Sequence, residues 1–202
     1  MSRPRLTGIT LWLLVTSLAW ASAAARPGPE DEKPGASEPA ALLRVAAPEA
    51  RQAVAADERF YYAIGNRVIG KYDRETRERL AIWESPEGGP IEHLNSGVVV
   101  DGRLYCAHSN YPGIPMLSSV EIWDTETLKH VASHSFGAIG GSLTWVDHHA
   151  GSWWAGFAQY TGEKAEPGRD PSWTRVVQLD ERWRPLQGWV FPSEVVEKLR
   201  PM

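Results

Sequence analysis

The stretch from Gly97 to Phe136 holds four runs: GVVVDG at 97–102, RLYCAHS at 103–109, SSVEIWD at 118–124 and TETLKHVASHSF at 125–136. Each is short, apolar or alternating, and each ends in turn residues. The first closes on the hairpin pair Asp101-Gly102. The same order recurs on both sides. Upstream, QAVAAD, ERFYYAIG, NRVIGKYD and RETRERLAIWE fill residues 52–84; downstream, SLTWVD, GSWWAGFA, TRVVQLD and ERWRPLQGWVF fall within 142–191. A repeat of about fifty residues built from four strand-like runs organises the chain.

Two acidic anchors fix the superposition. An Asp closes the third run of every unit, at Asp73, Asp124 and Asp180, where its carboxylate can cap a turn two residues on. A second follows the first run, at Asp57, Asp101 and Asp147. Four antiparallel strands repeated radially describe an all-β fold, the β-propeller, with blades expected at about 52–84, 97–136 and 142–191. Three meanders of a sandwich have similar strand lengths, but matched Asp anchors in all three units favour blades. Tryptophans on or beside strands, among them Trp83, Trp123, Trp145, Trp153 and Trp154, then read as wedges between blades, with a sugar-stacking platform as the rival reading.

Three blades fall short of the roughly four to eight that close a ring. The last residues, Pro192 to Pro201, read as a short helix beginning at Ser193 and not as a closing strand. The uncovered blade faces imply a truncated propeller or closure by a homodimer.

Residues 1–25 have the order of a secretory signal peptide: Arg3 and Arg5, an apolar run from Ile9 to Trp20, then small residues at 21–25. That run is short of the roughly 20 residues a bilayer span needs, so cleavage and a secreted or periplasmic protein are expected, with no membrane span thereafter. Residues 26–50, rich in Pro, Glu and Ala, read as a disordered linker in which Leu42-Leu43 has no evident partner. The folded part is expected over 51–202. Lys and Arg total 21 against 25 Asp and Glu, a net charge of −4, which disfavours nucleic-acid binding. The single cysteine, Cys106, excludes an intrachain disulfide, a CxxC centre and a thiolate-rich zinc site. Alternating with Tyr105 in a buried-type run, it reads as a small hydrophobe.

The block EHLNSGVVVDGRLYCAHSNYPGIPMLSSVEIWDTETL, followed by SHSFG and GSLTWVD, resembles a group of secreted bacterial propeller proteins, largely uncharacterised. They are sometimes labelled cycloisomerase by analogy with the lactonase-type propeller of muconate-lactonising enzymes. The resemblance covers about residues 50–195. It implies lactone chemistry and a longer chain with further blades, but brings no catalytic motif with it.

Tight turns at A–B and C–D and long connections at B–C and D–A put the long loops on one face, where binding residues usually sit. That face gathers Glu92, His93 and Asn95, then His108, Asn110 and Tyr111, and Tyr160 in the third unit. A scaffold would use Glu92, Asn95, Asn110, Tyr111 and Tyr160 to bind a ligand or exported protein. An enzyme of the lactonase type would use His93 or His108 to move a proton, and Glu92 with Asn95 to hold a cation such as Ca²⁺ through oxygen. The structural alternative makes His93 and His108 loop anchors and Asn95 and Asn110 turn holders. His148-His149 reads as a solvated A–B turn and His130 and His134 as an exposed strand edge. The loop Gly162–Ser172 reads as a lid or plain surface. Neither GAIGGS nor PEGGP follows a strand to open a helix, so phosphate cradling is not supported.

Overall fold

The computed structural model describes residues 44–138 and 140–199. The export segment expected at 1–25, most of the expected linker and the Leu42-Leu43 pair lie outside the described residues. Three four-stranded sheets follow one another, each antiparallel and each in chain order. Blade one holds β1 (Ala53–Ala56), β2 (Phe60–Gly65), β3 (Val68–Asp73) and β4 (Arg79–Glu84). Blade two holds β5 (His93–Val100), β6 (Arg103–Ser109), β7 (Ser118–Asp124) and β8 (His130–Gly137). Blade three holds β9 (Ser142–His149), β10 (Ser152–Ala158), β11 (Arg175–Leu179) and β12 (Pro185–Val190). The innermost strands β1, β5 and β9 pack in succession, β5 on blade one and β9 on blade two. The described chain is an unclosed arc of a β-propeller.

The recurring aspartates do the work expected of them at the C–D turns. The Asp73 carboxylate accepts from the N–H groups of Glu75 and Thr76 at 2.9 and 2.8 Å, and Asp124 accepts from Thr127 N–H at 2.9 Å. Asp180 accepts from Arg182 and Arg184 N–H, both at 2.9 Å. Each turn also forces a non-glycine residue into the left-handed region: Arg77 at φ 67°, Leu128 at 53° and Trp183 at 61°. Its N–H bonds back to the Asp carbonyl at 2.9 Å in all three blades. The carboxylate and that backbone bond together hold a conformation that an L-residue disfavours.

The second anchor holds in two blades. Asp57 caps Arg59 and Phe60 N–H at 2.8 and 2.7 Å, and Asp101 sits in its turn. Asp147 does not, because β9 runs on to His149 and the hairpin turns at Ala150-Gly151, with φ 49° and 71°. His148 and His149 are therefore strand residues. The β5 strand likewise begins at His93, four residues before the expected start of the second unit.

Burial is concentrated where one blade meets the next. Tyr62, Ile64 and Ile69 of blade one pack with Leu94, Leu104 and Trp123 of blade two. Val120 of blade two packs with Leu143, Val146, Trp153 and Phe157 of blade three. Gly97 has no side chain because Ile64 needs the space: a Cβ there would lie 2.5 Å from Ile64 Cδ1. Burying side chains of this size stabilises by about 1.5–3 kcal/mol each, so the junctions and not the separate blades carry the fold.

The innermost strands β5 and β9 each have a free edge, whose polar groups need partners when buried. The neighbouring blade supplies them. Leu94 N–H donates to Asn66 C=O at 2.9 Å. Leu143 N–H donates to Ser118 Oγ at 2.8 Å, Leu143 C=O accepts from Asn95 Nδ2 at 2.9 Å, and Val146 N–H donates to Ser96 Oγ at 3.1 Å. On the tight-turn face the buried Lys71 ammonium reaches from β3 to the carbonyls of Thr125 and Glu126 at 2.6 and 2.9 Å. It also lies 3.7 Å from the centre of the Phe60 ring.

The folded unit starts earlier than residue 51. Glu49, read from sequence as linker, is buried on the outer side of blade one, where it accepts from Tyr72 Oη at 2.6 Å and pairs with Arg79. At the other end β12 gives way to a helix, α1 (Ser193–Leu199), whose Val196 is buried near Pro171, Thr174 and Phe191.

Replacing Lys71 with Met keeps the stem but leaves two carbonyls without their donor. The K71M variant is expected to lose about 2 kcal/mol of stability, read as a lower urea midpoint at unchanged m-value.

Candidate functional site

Two loops of unequal length build the long-loop face. In blade two, Asn110 closes the connection between β6 and β7 on itself: Oδ1 accepts from Leu117 N–H at 2.7 Å and Nδ2 donates to Pro115 C=O at 3.1 Å. In blade three, Glu166 is buried beneath the connection between β10 and β11. It accepts from Met116 N–H at 2.6 Å and pairs with Arg169 at 2.8 Å. One carboxylate thus ties the third blade's loop to the second's, which gives the loop read as a lid or plain surface a fixed anchor at its middle.

This tie brings three of the expected residues together. The rings of Tyr111 and Tyr160 lie 4.9 Å apart, and that of His93, at the start of β5, lies 5.3 Å from Tyr111. Lys164, in a single 3-10 turn at Gly162–Lys164, holds its ammonium 5.1 Å from the Tyr111 ring centre. The hydrogen bond to Tyr111 raises the Lys164 pKa from its ordinary value. His93, half-buried, is pushed down by desolvation, so its imidazole is neutral at pH 7. Sequence reasoning missed Lys164, since one lysine in a polar loop carries no periodic or motif signal.

The remaining expected residues are engaged elsewhere. His108 is buried and accepts the Glu92 N–H at Nε2, 3.1 Å away. Its Nδ1 lies 2.9 Å from Ser119 Oγ, which itself donates to Glu121 Oε1 at 2.6 Å. These directions require the neutral Nδ1–H tautomer, and both ring nitrogens are then used within the protein. His108 is a strand anchor on this geometry, without a nitrogen left for a substrate proton. Asn95, bulged between Leu94 and Ser96, turns its amide to blade three, while the Glu92 side chain is exposed. Among the described residues no three His, Cys, Asp or Glu side chains converge as a metal cluster would. Cys106 is buried, and desolvation raises its thiol pKa far above the ordinary range, the opposite of what a nucleophile needs.

The polar chain from His108 continues outward. The second Glu121 oxygen pairs with His130 Nε2 at 2.7 Å and accepts from Ser133 Oγ. This end faces a cavity of about 260 Å³ between blades one and two, bounded also by Trp83 and Ile91. Burial alone would raise the Glu121 pKa, but the hydrogen bonds from Ser119, Ser133 and His130 outweigh it and the net shift is downward.

No protein-family model matches this chain, and no curated protein matches it in sequence. Solved structures do match. A hydrazine synthase of Kuenenia stuttgartiensis superposes with a TM-score of 0.50 at 14% identity, over 69% of this chain and 36% of that one. U3-55K gives 0.44 at 10% identity, over 70% and 39%. A neuraminidase-like protein from A/bat/Guatemala/164/2009 gives 0.43 at 7%, over 66% and 36%. The chain thus spans just over a third of the length of these propeller-like structures, and at such identities the likeness concerns the fold alone. Among the described residues no helix is long and apolar enough to cross a membrane.

Both His108 and Glu121 make stability depend on acid. His108 is pushed down by desolvation, so below its ordinary value of 6.5 the unfolded chain binds a proton that the folded one refuses, and stability is lost as pH falls. Glu121, depressed below 4.5, adds a second loss as pH drops through its lowered value. Urea midpoints are expected to decline from pH 7 to pH 5, with a shallower decline in H108Q. Between pH 5 and pH 3 the decline should be shallower in E121Q.

Proposed function

We propose that this protein is an exported β-propeller scaffold that binds a ligand or protein partner on its long-loop face and performs no chemistry of its own. The observation that carries this reading is the cluster of His93, Tyr111, Tyr160 and Lys164. Three half-buried rings and one exposed ammonium offer a stacking surface with a positive rim, held by the Glu166 tie to rigid blades. Such aromatic groups are the usual anchors of binding surfaces. The propeller supplies the scaffold, and the signal-like N-terminus supports export. The net charge of −4 supports a partner other than nucleic acid.

A second reading, the lactonase or cycloisomerase type, rests on His93. A neutral imidazole beside half-buried aromatic rings is a competent general base. It lacks a matching acid, since His108 is engaged on both nitrogens, and Glu92 with Asn95 offers too few oxygens for Ca²⁺, which takes six to eight.

The two readings separate experimentally. With the protein immobilised and challenged with the exported proteins of its source, Y111A and Y160A are each expected to reduce capture of a partner at least tenfold, with melting unchanged. Capture that is indifferent to both substitutions would remove the loop face as the binding surface. Turnover of a muconolactone-type substrate, lost in H93A while the protein stays folded, would instead establish the enzyme.

A further inference from the structure

Strand pairing gives every blade the same stations. Gly70, Glu121 and Val177, each three residues before the turn Asp, pair with Ile82, Ser133 and Gly188. Nearer the turn, Tyr72 pairs with Arg79, Trp123 with His130 and Leu179 with Pro185, after a bulge that drops one residue of the outer strand from the register. A regular strand would send His130 and Ser133 to opposite faces. The bulge in β8 re-aims them, and both reach the Glu121 carboxylate.

The blade itself requires none of this polarity, since blade three has Val177, Pro185 and Gly188 at those stations. Blade one is the informative case. Glu49 lies over Gly70, where a Cβ would meet its carboxylate at 3.0 Å, and that charge is matched by Arg79 and by the Tyr72 hydroxyl. In blade two the carboxylate is the strand's own, with the Glu121 side chain only 7% exposed, and the arginine station is held by His130, which is charged only if protonated. Among the described residues no Lys or Arg pairs with Glu121, although a buried charge ordinarily has such a partner.

This carboxylate borders the cavity of about 260 Å³ between blades one and two. Across it stand Trp83, braced edge-on by Trp123 at 4.8 Å, and Ser85, Pro86, Pro90 and Ile91 of the connection that follows β4. Ser85 Oγ is buried and has no partner among the described residues. Ser133 gives its hydroxyl proton to Glu121. His130 must donate from Nε2 to the same oxygen, which leaves Nδ1 an acceptor when the ring is neutral. The cavity thus offers hydrogen-bond acceptors, one negative charge and an indole. It is smaller than the roughly 300–1,000 Å³ of pockets that hold drug-sized ligands, so its occupant is small.

We propose that this cavity binds a small primary ammonium ion, whose N–H groups donate to Glu121 and the Ser85 hydroxyl and whose alkyl part lies against Trp83 and Ile91. The ligand supplies the positive charge that Arg79 supplies in blade one, and the indole adds attraction for the cation. The hydrogen bonds that hold Glu121 below its ordinary pKa keep it ionised for this purpose. The site is separate from the long-loop face and uses neither its tyrosines nor Lys164.

Calorimetric titration of the full chain with n-butylammonium chloride tests this. Saturable binding in the millimolar range or tighter is expected, weakened about tenfold or more in E121Q by loss of the charged acceptor. S133F, which puts a ring into the cavity from an exposed position on β8, should abolish it, while Y111A on the long-loop face should leave it unchanged. Neither 1-butanol, which lacks the charge, nor butyrate, which reverses it, should bind measurably. Tetramethylammonium, charged but without N–H groups, should bind more weakly than n-butylammonium. No saturable binding, or wild-type affinity in E121Q or S133F, overturns the proposal, as does loss of binding in Y111A. Binding of 1-butanol, butyrate or tetramethylammonium as tight as that of n-butylammonium overturns it too. Should E121Q fail to fold, S133F and the ligand series decide the matter.

Discussion

Everything in this structure depends on one contact: the innermost strand of each blade lying against the sheet before it. Ile64 seated on Gly97 is its most exacting point, for any side chain at residue 97 would push β5 off blade one. A four-stranded sheet of this size buries little when alone. The paired residues of blades one and two, and of blades two and three, are where the fully buried side chains gather. The polar stitches serve the same contact. Asn95, Ser96 and Ser118 satisfy the free edge of β9, and Lys71 binds blade one to the turn of blade two at the opposite end. Apolar packing supplies the stabilisation, and the hydrogen bonds fix the angle at which one blade meets the next.

Much of this architecture was legible in the sequence. The aspartates at 73, 124 and 180 act locally, through their own turns, so their spacing reports blade number without knowledge of the tertiary fold. Asp147 misled because a matching letter is not a matching register: the hairpin turn of blade three lies three residues later, at Ala150-Gly151. The left-handed residues Arg77, Leu128 and Trp183 were invisible, since the preference that marks such sites is for glycine, and here the turn Asp overrides it. Glu49 read as linker because its neighbours are Pro and Ala. Its burial comes from Tyr72 and Arg79, which are distant in sequence and adjacent only once β3 and β4 have formed.

The candidate site divides along the same line. Residue types and loop lengths pointed to the long-loop face, and Tyr111, Tyr160 and His93 meet there. What sequence could not supply was hydrogen-bond direction. His108 looks as suitable for proton chemistry as His93, and only the donors and acceptors around it, Glu92 N–H on one side and Ser119 on the other, show it to be an anchor. Lys164 joined the cluster because Glu166 draws the third loop onto the second, a contact between residues fifty positions apart.

Hydrogen exchange followed by mass spectrometry measures the central claim, that the junctions and not the blades are the units of stability. Peptides from β5, β6, β9 and β10 are expected to exchange together, through one cooperative opening near the global unfolding free energy, while those from β4, β8 and β12 exchange earlier. Three separate protection levels, one for each blade, would contradict the account, because they would show that each sheet holds itself together without its neighbour.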